Sequence, residues 1–229
     1  MIYVTGEVHG LIDFLKFGEE KLKGLTRDDY VIVVGDLGAV FYPAQTQRML
    51  NIYSYLPFTV LFVDGNHENF DELERYEVTE WHGGKVHRIS ENLIHLMRGQ
   101  VFDIGGRTFL TFGGALSVDK WRRTEGVDWW PQEMPTEEDL EEAFRNLGRV
   151  DFKVDYVLTH DCPTSLLGRL EPFSSKVQRQ GIEPAPSNMF LERILSSIRF
   201  KRWYFGHYHL DEDFGEFTCL YYRVVPLED

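Results

Sequence analysis

Cysteine is almost missing from this chain of 229 residues: Cys162 and Cys219 stand far apart, and no Cys-x-x-Cys pair occurs. That excludes a disulfide framework and a thiolate zinc site, and reads instead as two ordinary buried thiols in a reducing compartment. No apolar run approaches the roughly twenty residues of a membrane span. The opening MIYVTG carries neither a charged leader region nor an apolar one, so a cytoplasmic protein without membrane contact is expected. Positive charge is in deficit, with 24 Lys and Arg against 37 Asp and Glu and a formal net charge of −13. This excludes the basic track that duplex nucleic acid requires, so any phosphate must be held locally, by metal ions or a few cations. Internal repeats, low-complexity tracts and linkers are absent. So are Gly-x-x-x-x-Gly-Lys, Gly-x-Ser-x-Gly and His-Glu-x-x-His, which leaves P-loop, serine-hydrolase and zincin chemistry without support.

What is present suits one sizeable core. Hydrophobic residues make up 43% of the chain, and a single domain over residues 1–229 is expected, with nothing that specifies an oligomer. Short, nearly continuous apolar runs at Ile2–Thr5, Tyr30–Val34, Phe58–Val63, Val154–Thr159 and Arg202–Phe205 read as strands buried on both faces. Amphipathic spacing predicts helices over Leu11–Leu22, Ala44–Leu56 and Ser187–Ile198, so the first third reads β-α-β-α-β around a parallel sheet. The glycine-punctuated pieces GKVHRI, NLIHLM, QVFDI and RTFLTF predict antiparallel hairpins, and DFGEFTCLYYRVVPL a closing hairpin. Thr136 reads as the N-cap of a solvated acidic helix. The irregular segment Ser117–Pro135 holds three of the five tryptophans, which argues for order in a functional loop.

The polar residues recur at one kind of place. Gly6-Glu7-Val8-His9-Gly10, Gly35-Asp36, Asp64-Gly65-Asn66-His67-Glu68, His160 and Gly206-His207-Tyr208-His209 each follow one of the five buried runs. The carboxyl ends of parallel strands share one edge, so groups remote in sequence converge there. Two carboxylates, one carboxamide and five imidazoles suit two borderline divalent ions: Mn²⁺ first, with Fe²⁺, Zn²⁺ or Ni²⁺ as alternatives. Such a pair, roughly 3.5–4 Å apart, could bind both hydroxide and a phosphate ester. His82, His87 and His95 lack this company and read as structural.

In this order the five motifs resemble those of the calcineurin-like metallophosphoesterase superfamily, over nearly the whole chain. The resemblance implies an α/β sandwich of two mixed β-sheets flanked by helices. It also implies hydrolysis of a phosphomonoester or phosphodiester, a small ester or nucleotide, by a metal-bridging hydroxide. Carried over residue by residue, Glu7, His9, Asp36 and His209 would hold the first metal, and Asp36, Asn66, His160 and His207 the second. Asn66 would also stabilise charge on the reacting phosphate, and His67 would protonate the leaving oxygen. Gly113-Gly114-Ala115 with Ser117-Val118-Asp119-Lys120 and Trp129-Trp130-Pro131 resembles a bacterial or phage-type subgroup. Leu37-Gly38-Ala39, where protein serine/threonine phosphatases have Asp-Arg, speaks against that branch. Lys120 and Arg123, with Arg122 between them, are candidate substrate contacts.

Glu7 departs from the family's Asp-x-His. One further methylene adds roughly 1.5 Å of reach, while metal–ligand distances tolerate about 0.2 Å. The expectation is a weakened first site that Glu7→Asp would strengthen. Two other readings share the fold. One is a non-catalytic metal-binding interaction module, against which His67 and the downstream ligands stand. The other is a specialised nuclease or cyclic-nucleotide phosphodiesterase, whose base the tryptophan-rich loop could stack.

Overall fold

The computed structural model describes residues 1–170, 172 and 183–227. Its strands are β1 (Ile2–Thr5), β2 (Tyr30–Val34), β3 (Thr59–Val63), β4 (Val78–Trp81), β5 (Gly84–Ser90), β6 (Leu93–Leu96) and β7 (Gln100–Ile104). They continue as β8 (Arg107–Phe112), β9 (Tyr156–Thr159), β10 (Arg202–Phe205), β11 (Glu212–Phe214), β12 (Phe217–Cys219) and β13 (Val224–Pro226). The first sheet has the order β13-β1-β2-β3-β6-β5-β4, the second β11-β12-β10-β9-β8-β7. Each has a parallel centre, β1-β2-β3-β6 in the first and β8-β9-β10-β12 in the second, with antiparallel pairs outside it. These are the two mixed sheets of the expected sandwich.

The continuous apolar runs are explained by two-sided burial. In β2, Ile32 and Val34 face the core between the sheets, with Leu61 and Val63 of β3 and Phe109, Tyr156 and Leu158 from the second sheet. Val31 and Val33 pack outward with Met49 and Tyr53 of helix α1 (Pro43–Tyr53). The outer face of the second sheet is covered by α3 (Glu137–Gly148), α4 (Thr164–Leu170) and α5 (Pro186–Leu195); α2 (Phe70–Leu73) is a single turn. At the start of α3, Thr136 Oγ1 accepts from Asp139 N at 3.2 Å and Asp139 Oδ2 accepts from Thr136 N at 2.8 Å, the reciprocal cap expected of that sequence.

Two expectations are corrected. Leu11–Leu22 is not a helix but two 3₁₀ turns, Phe14–Gly18 and Glu20–Leu22. Leu11, Ile12 and Leu15 remain exposed, while Lys16 turns inward to donate to the carbonyls of Glu7 at 2.5 Å and Tyr221 at 2.6 Å. Tertiary hydrogen bonding has overridden the amphipathic spacing. The closing hairpin covers only β11 and β12; β13 crosses to the other sheet and pairs antiparallel with β1. The segment 117–135 is ordered by its aromatics, with Trp130 buried against Phe41 and its Nε1 donating to Asp71 Oδ2 at 2.9 Å. Among the described residues no helix is long and apolar enough to cross a membrane.

Candidate functional site

Loops leaving the ends of β1, β2, β3, β8, β9 and β10 meet at one edge of the sandwich. The first two are stitched together by backbone: Val8 N and His9 N donate to Asp36 O at 3.1 and 2.9 Å, and Gly10 N to Leu37 O at 2.9 Å. Gly65 lets the β3 loop come up against Asp36, because a Cβ there would collide with the Asp36 carboxylate; His67 N then donates to Asp36 Oδ1 at 2.8 Å. Gly35 has φ +96°, and a Cβ on it would enter the His160 ring. His9, Asp36, His207 and His209 have φ of +49, +51, +67 and +53°, a region that non-glycine residues seldom occupy and that is concentrated here at the predicted ligands.

The side chains converge as the motif order predicts. Asp36 Oδ2 is fully buried without a hydrogen bond, and His9 Nε2 and His160 Nε2 face it at 3.5 and 3.4 Å. His160 Nδ1 is committed to Val34 O at 2.7 Å, which leaves Nε2 to point inward, also 3.2 Å from Asn66 Oδ1. Glu7 Oε2 lies 2.7 Å from His209 Nε2 and 3.6 Å from His9 Nε2. His209 stacks parallel on Tyr221, with centroids 4.5 Å apart. His207 is buried and packs edge-on against His160, with centroids 5.1 Å apart.

Among the described residues two groups have metal-ligand spacing, Glu7-His9-His209 and Glu7-Asp36-His160, with Asn66 Oδ1 beside the second. Glu7 is common to both groups. A buried carboxylate oxygen without a donor, ringed by imidazole nitrogens and by a second carboxylate, fits divalent cations of the borderline class. These groups lean on one another. Burial disfavours charge on both His9 and His160, yet the Asp36 and Glu7 carboxylates outweigh it; His9 is raised and His160 reaches about 9. Burial likewise opposes ionisation of Asp36, but His160 and His67 hold it well below the usual carboxylate range.

An open cleft of about 750 Å³ lies over these groups, with His9, Asn66, His67 and His209 in its lining and Lys120, Trp121 and Arg122 along the Ser117 loop. His67 belongs to neither ligand group; its ring nitrogen Nε2 is 3.1 Å from Asn66 Nδ2, and its centroid is 6.0 Å from that of His9. Arg123, expected at the substrate, sits in an adjoining recess, its Nε and Nη2 on the Asp119 carboxylate at 2.8 and 2.9 Å and its Nη1 on Asp128 O at 3.1 Å. The guanidinium thus braces the loop, whereas Lys120 and Arg122 line the cleft.

Several supporting residues have no role in the sequence reading. Glu68 is fully buried and accepts from Leu37 N at 2.8 Å and Gly38 N at 3.4 Å, holding the loop that presents Asp36. Burial and then the Asp36 charge raise its carboxyl to about 8. Asp161 accepts from Ser187 Oγ, Asn188 Nδ2 and Tyr208 Oη, tying the loop that carries His207 to α5. Ser117 and Glu133 fix Asn66: Asn66 Nδ2 donates to Ser117 Oγ at 3.0 Å, and Ser117 Oγ donates to Glu133 Oε2 at 2.5 Å. Gly113-Gly114 directly after the RTFLTF strand is the one signal that could have pointed to Ser117, being the same strand-then-glycine arrangement as at the other motifs.

The sequence profile of the family described as calcineurin-like phosphoesterase matches residues 1–211. No curated protein matches the chain. Among solved structures, phosphopantetheinyl hydrolase from Mycobacterium tuberculosis aligns over 96% of this chain and 89% of its own, at 16% identity and a TM-score of 0.45.

Proposed function

Since the chain belongs to the calcineurin-like phosphoesterase family, we propose that it hydrolyses a phosphate ester with the help of two divalent ions, Mn²⁺ first among the candidates. The observation that carries this reading is the buried Asp36 Oδ2, without a hydrogen bond and faced by His9 and His160 from two different sheets. Glu7, His9 and His209 would hold one ion, and Asp36, Asn66 and His160 the other, with His207 beside it. Glu7, a member of both groups, would contribute its carboxylate to either ion. When bound, such ions acidify water and stabilise negative charge on phosphoryl oxygens.

The chain's own groups divide the remaining work. His160 is held in one tautomer by Val34 O, so its Nε2 stays available at the site. Asn66 is oriented by Ser117 with its Oδ1 toward His160; an amide in that orientation has its oxygen ready for a cation. His67 lines the cleft outside both ligand groups and is the group assigned to deliver a proton to the departing oxygen. Lys120 and Arg122 supply cationic contacts to a phosphate in an otherwise acidic molecule.

A second reading, a nucleotide phosphodiesterase, is favoured by Trp121. It is 73% exposed on the loop that lines the cleft, and the Arg122 guanidinium lies 4.5 Å from its ring centroid, a surface on which a base can stack. Assay of the Mn²⁺-loaded protein against para-nitrophenyl phosphate, its bis ester, and cyclic and linear nucleotides separates the two. Mn²⁺-dependent hydrolysis that is lost on chelation and restored by Mn²⁺ is expected; hydrolysis unaffected by chelation would refute the two-ion reading.

A further inference from the structure

His209 is held differently from its neighbours at the site. His160 Nδ1 is tied to Val34 O at 2.7 Å and His9 Nδ1 lies 3.3 Å from Asp13 Oδ2, so each ring has a partner behind the nitrogen that faces inward. Such a partner on the outer nitrogen is what normally orients a metal-binding histidine. The His209 side chain is 44% exposed, and among the described residues its Nδ1 makes no hydrogen bond, yet its Nε2 stands 2.7 Å from Glu7 Oε2. Some other contact must keep the ring from turning out to solvent.

Tyr221 supplies it. Its ring lies parallel to the imidazole within 1°, with centroids 4.5 Å apart, a face-on contact that restrains the plane of both rings. The Tyr221 backbone is in turn gripped at both ends: its N donates to Asp211 Oδ1 at 2.8 Å, and its O accepts from Lys16 Nζ at 2.6 Å. The same lysine donates to Glu7 O, so one ammonium ties the tyrosine to the residue that His209 faces. The Asp211 carboxylate, two positions beyond His209, also accepts from Tyr222 N and Arg223 N, each at 3.0 Å. The Tyr222 ring packs on Tyr221 with centroids 4.1 Å apart, and its hydroxyl lies 3.4 Å from that of Tyr221. Gly6 makes room for this segment, because a Cβ there would come within 2.3 Å of Leu220 O and 2.6 Å of Tyr221 Cα.

We infer that Tyr221 is a positioning residue, whose ring does for His209 what a hydrogen bond to Nδ1 does for His160, keeping Nε2 against Glu7 in the orientation that metal binding by His209 requires. Lys16 and Asp211 serve this role by fixing the Tyr221 backbone. The inference rests on the two-ion reading above, which makes His209 a ligand of the ion shared with Glu7 and His9.

The test compares Tyr221→Phe, which keeps the flat ring, with Tyr221→Leu, which keeps apolar bulk without it, in the full chain. In the metal-free protein the imidazole proton resonances of His209, identified by their loss in His209→Ala, should be displaced by the ring current of the stack. They should stay displaced in Tyr221→Phe and move to the position of an unstacked histidine in Tyr221→Leu. In calorimetric titration with Mn²⁺, the event that His209→Ala removes should weaken about tenfold in Tyr221→Leu, change little in Tyr221→Phe, and leave the other event as it was. Added to His209→Ala, Tyr221→Leu should cost nothing further at the metal, a non-additivity that a merely structural role would not give. The inference is overturned if Tyr221→Leu leaves the His209 resonances in place, leaves that event unweakened, weakens both events alike, or keeps its full effect in the His209→Ala background. Absence of Mn²⁺ binding by the unaltered protein would overturn the two-ion reading instead, and the resonances would still decide whether Tyr221 holds the ring.

Discussion

Asn66 cannot turn its amide round while Ser117 stands beside it. Ser117 Oγ donates to Glu133 Oε2 at 2.5 Å, so toward Asn66 it can only accept, and it meets Nδ2 at 3.0 Å; the carbonyl oxygen is left 3.2 Å from His160 Nε2. The amide atom that faces the site is thus selected by a serine fifty-one positions further along the chain.

Ser117→Ala should free the Asn66 amide to rotate and lower the affinity of the ion on the Asn66 and His160 side by roughly 10–100-fold, the usual cost of losing a partner that orients a ligand. Calorimetric titration with Mn²⁺ should show this second binding event weakened and the event on His9 and His209 nearly unchanged. Equal loss at both ions would mean that Ser117 acts through folding.

The position of Glu7 argues for an outcome opposite to the one its length suggests. Its carboxylate belongs to both groups with metal-ligand spacing and reaches His209 Nε2 at 2.7 Å. Glu7→Asp withdraws the oxygens by roughly 1.5 Å, several times the distance tolerance of a metal site, which is about 0.2 Å. Both ions are expected to bind more weakly and turnover at limiting Mn²⁺ to fall; a gain in affinity would restore the single-site role.

His67→Ala should leave Mn²⁺ stoichiometry unchanged, since His67 lies outside both ligand groups. Hydrolysis of alkyl esters should fall by about 10²–10⁴-fold, and that of nitrophenyl esters far less, because nitrophenolate leaves without a proton. Comparing kcat for the two ester classes checks the assignment.

The His87 imidazole is depressed to about 4 from an ordinary 6.5, chiefly by burial. The unfolded chain therefore binds the proton first as pH falls. The stabilising contribution of the neutral ring is complete above about pH 6.5 and is lost as the pH drops toward 4. His87→Phe should flatten the acid limb of the melting temperature against pH within that window, read by thermal denaturation of the metal-free protein. A limb of unchanged slope would assign it to other groups.

Much of this arrangement was legible in the amino-acid order because buried parallel strands announce themselves as unbroken apolar runs. The residues directly after each run are then forced to one edge, so Glu7, Asp36, Asn66, His160 and His207 could be gathered before any coordinates. The parts that stayed illegible depend on contacts between distant segments. The Leu11–Leu22 spacing is that of a helix, and nothing local says that Lys16 must turn in to meet the Tyr221 carbonyl. Arg123 in a basic cluster looks like a phosphate contact, and nothing local says that its guanidinium is also held by Asp119 and the Asp128 carbonyl. Glu133, buried among polar partners, lies in a loop with no periodicity to report its burial.

The strand that presents Glu7 and His9 is flanked on its outer side by β13, with Tyr3 opposite Pro226 and Thr5 opposite Val224. Thr5 Oγ1 donates to Arg223 O at 3.0 Å, and Leu227 N to Ile2 O at 3.0 Å. During synthesis Glu7 and His9 leave the ribosome more than two hundred residues before the strand that secures them. The nascent chain therefore carries Glu7 and His9 on an open sheet edge for most of its translation, and this corner of the site is among the last features to be completed. A chain cut short before residue 224 would therefore leave the strand that carries Glu7 and His9 without its outer neighbour.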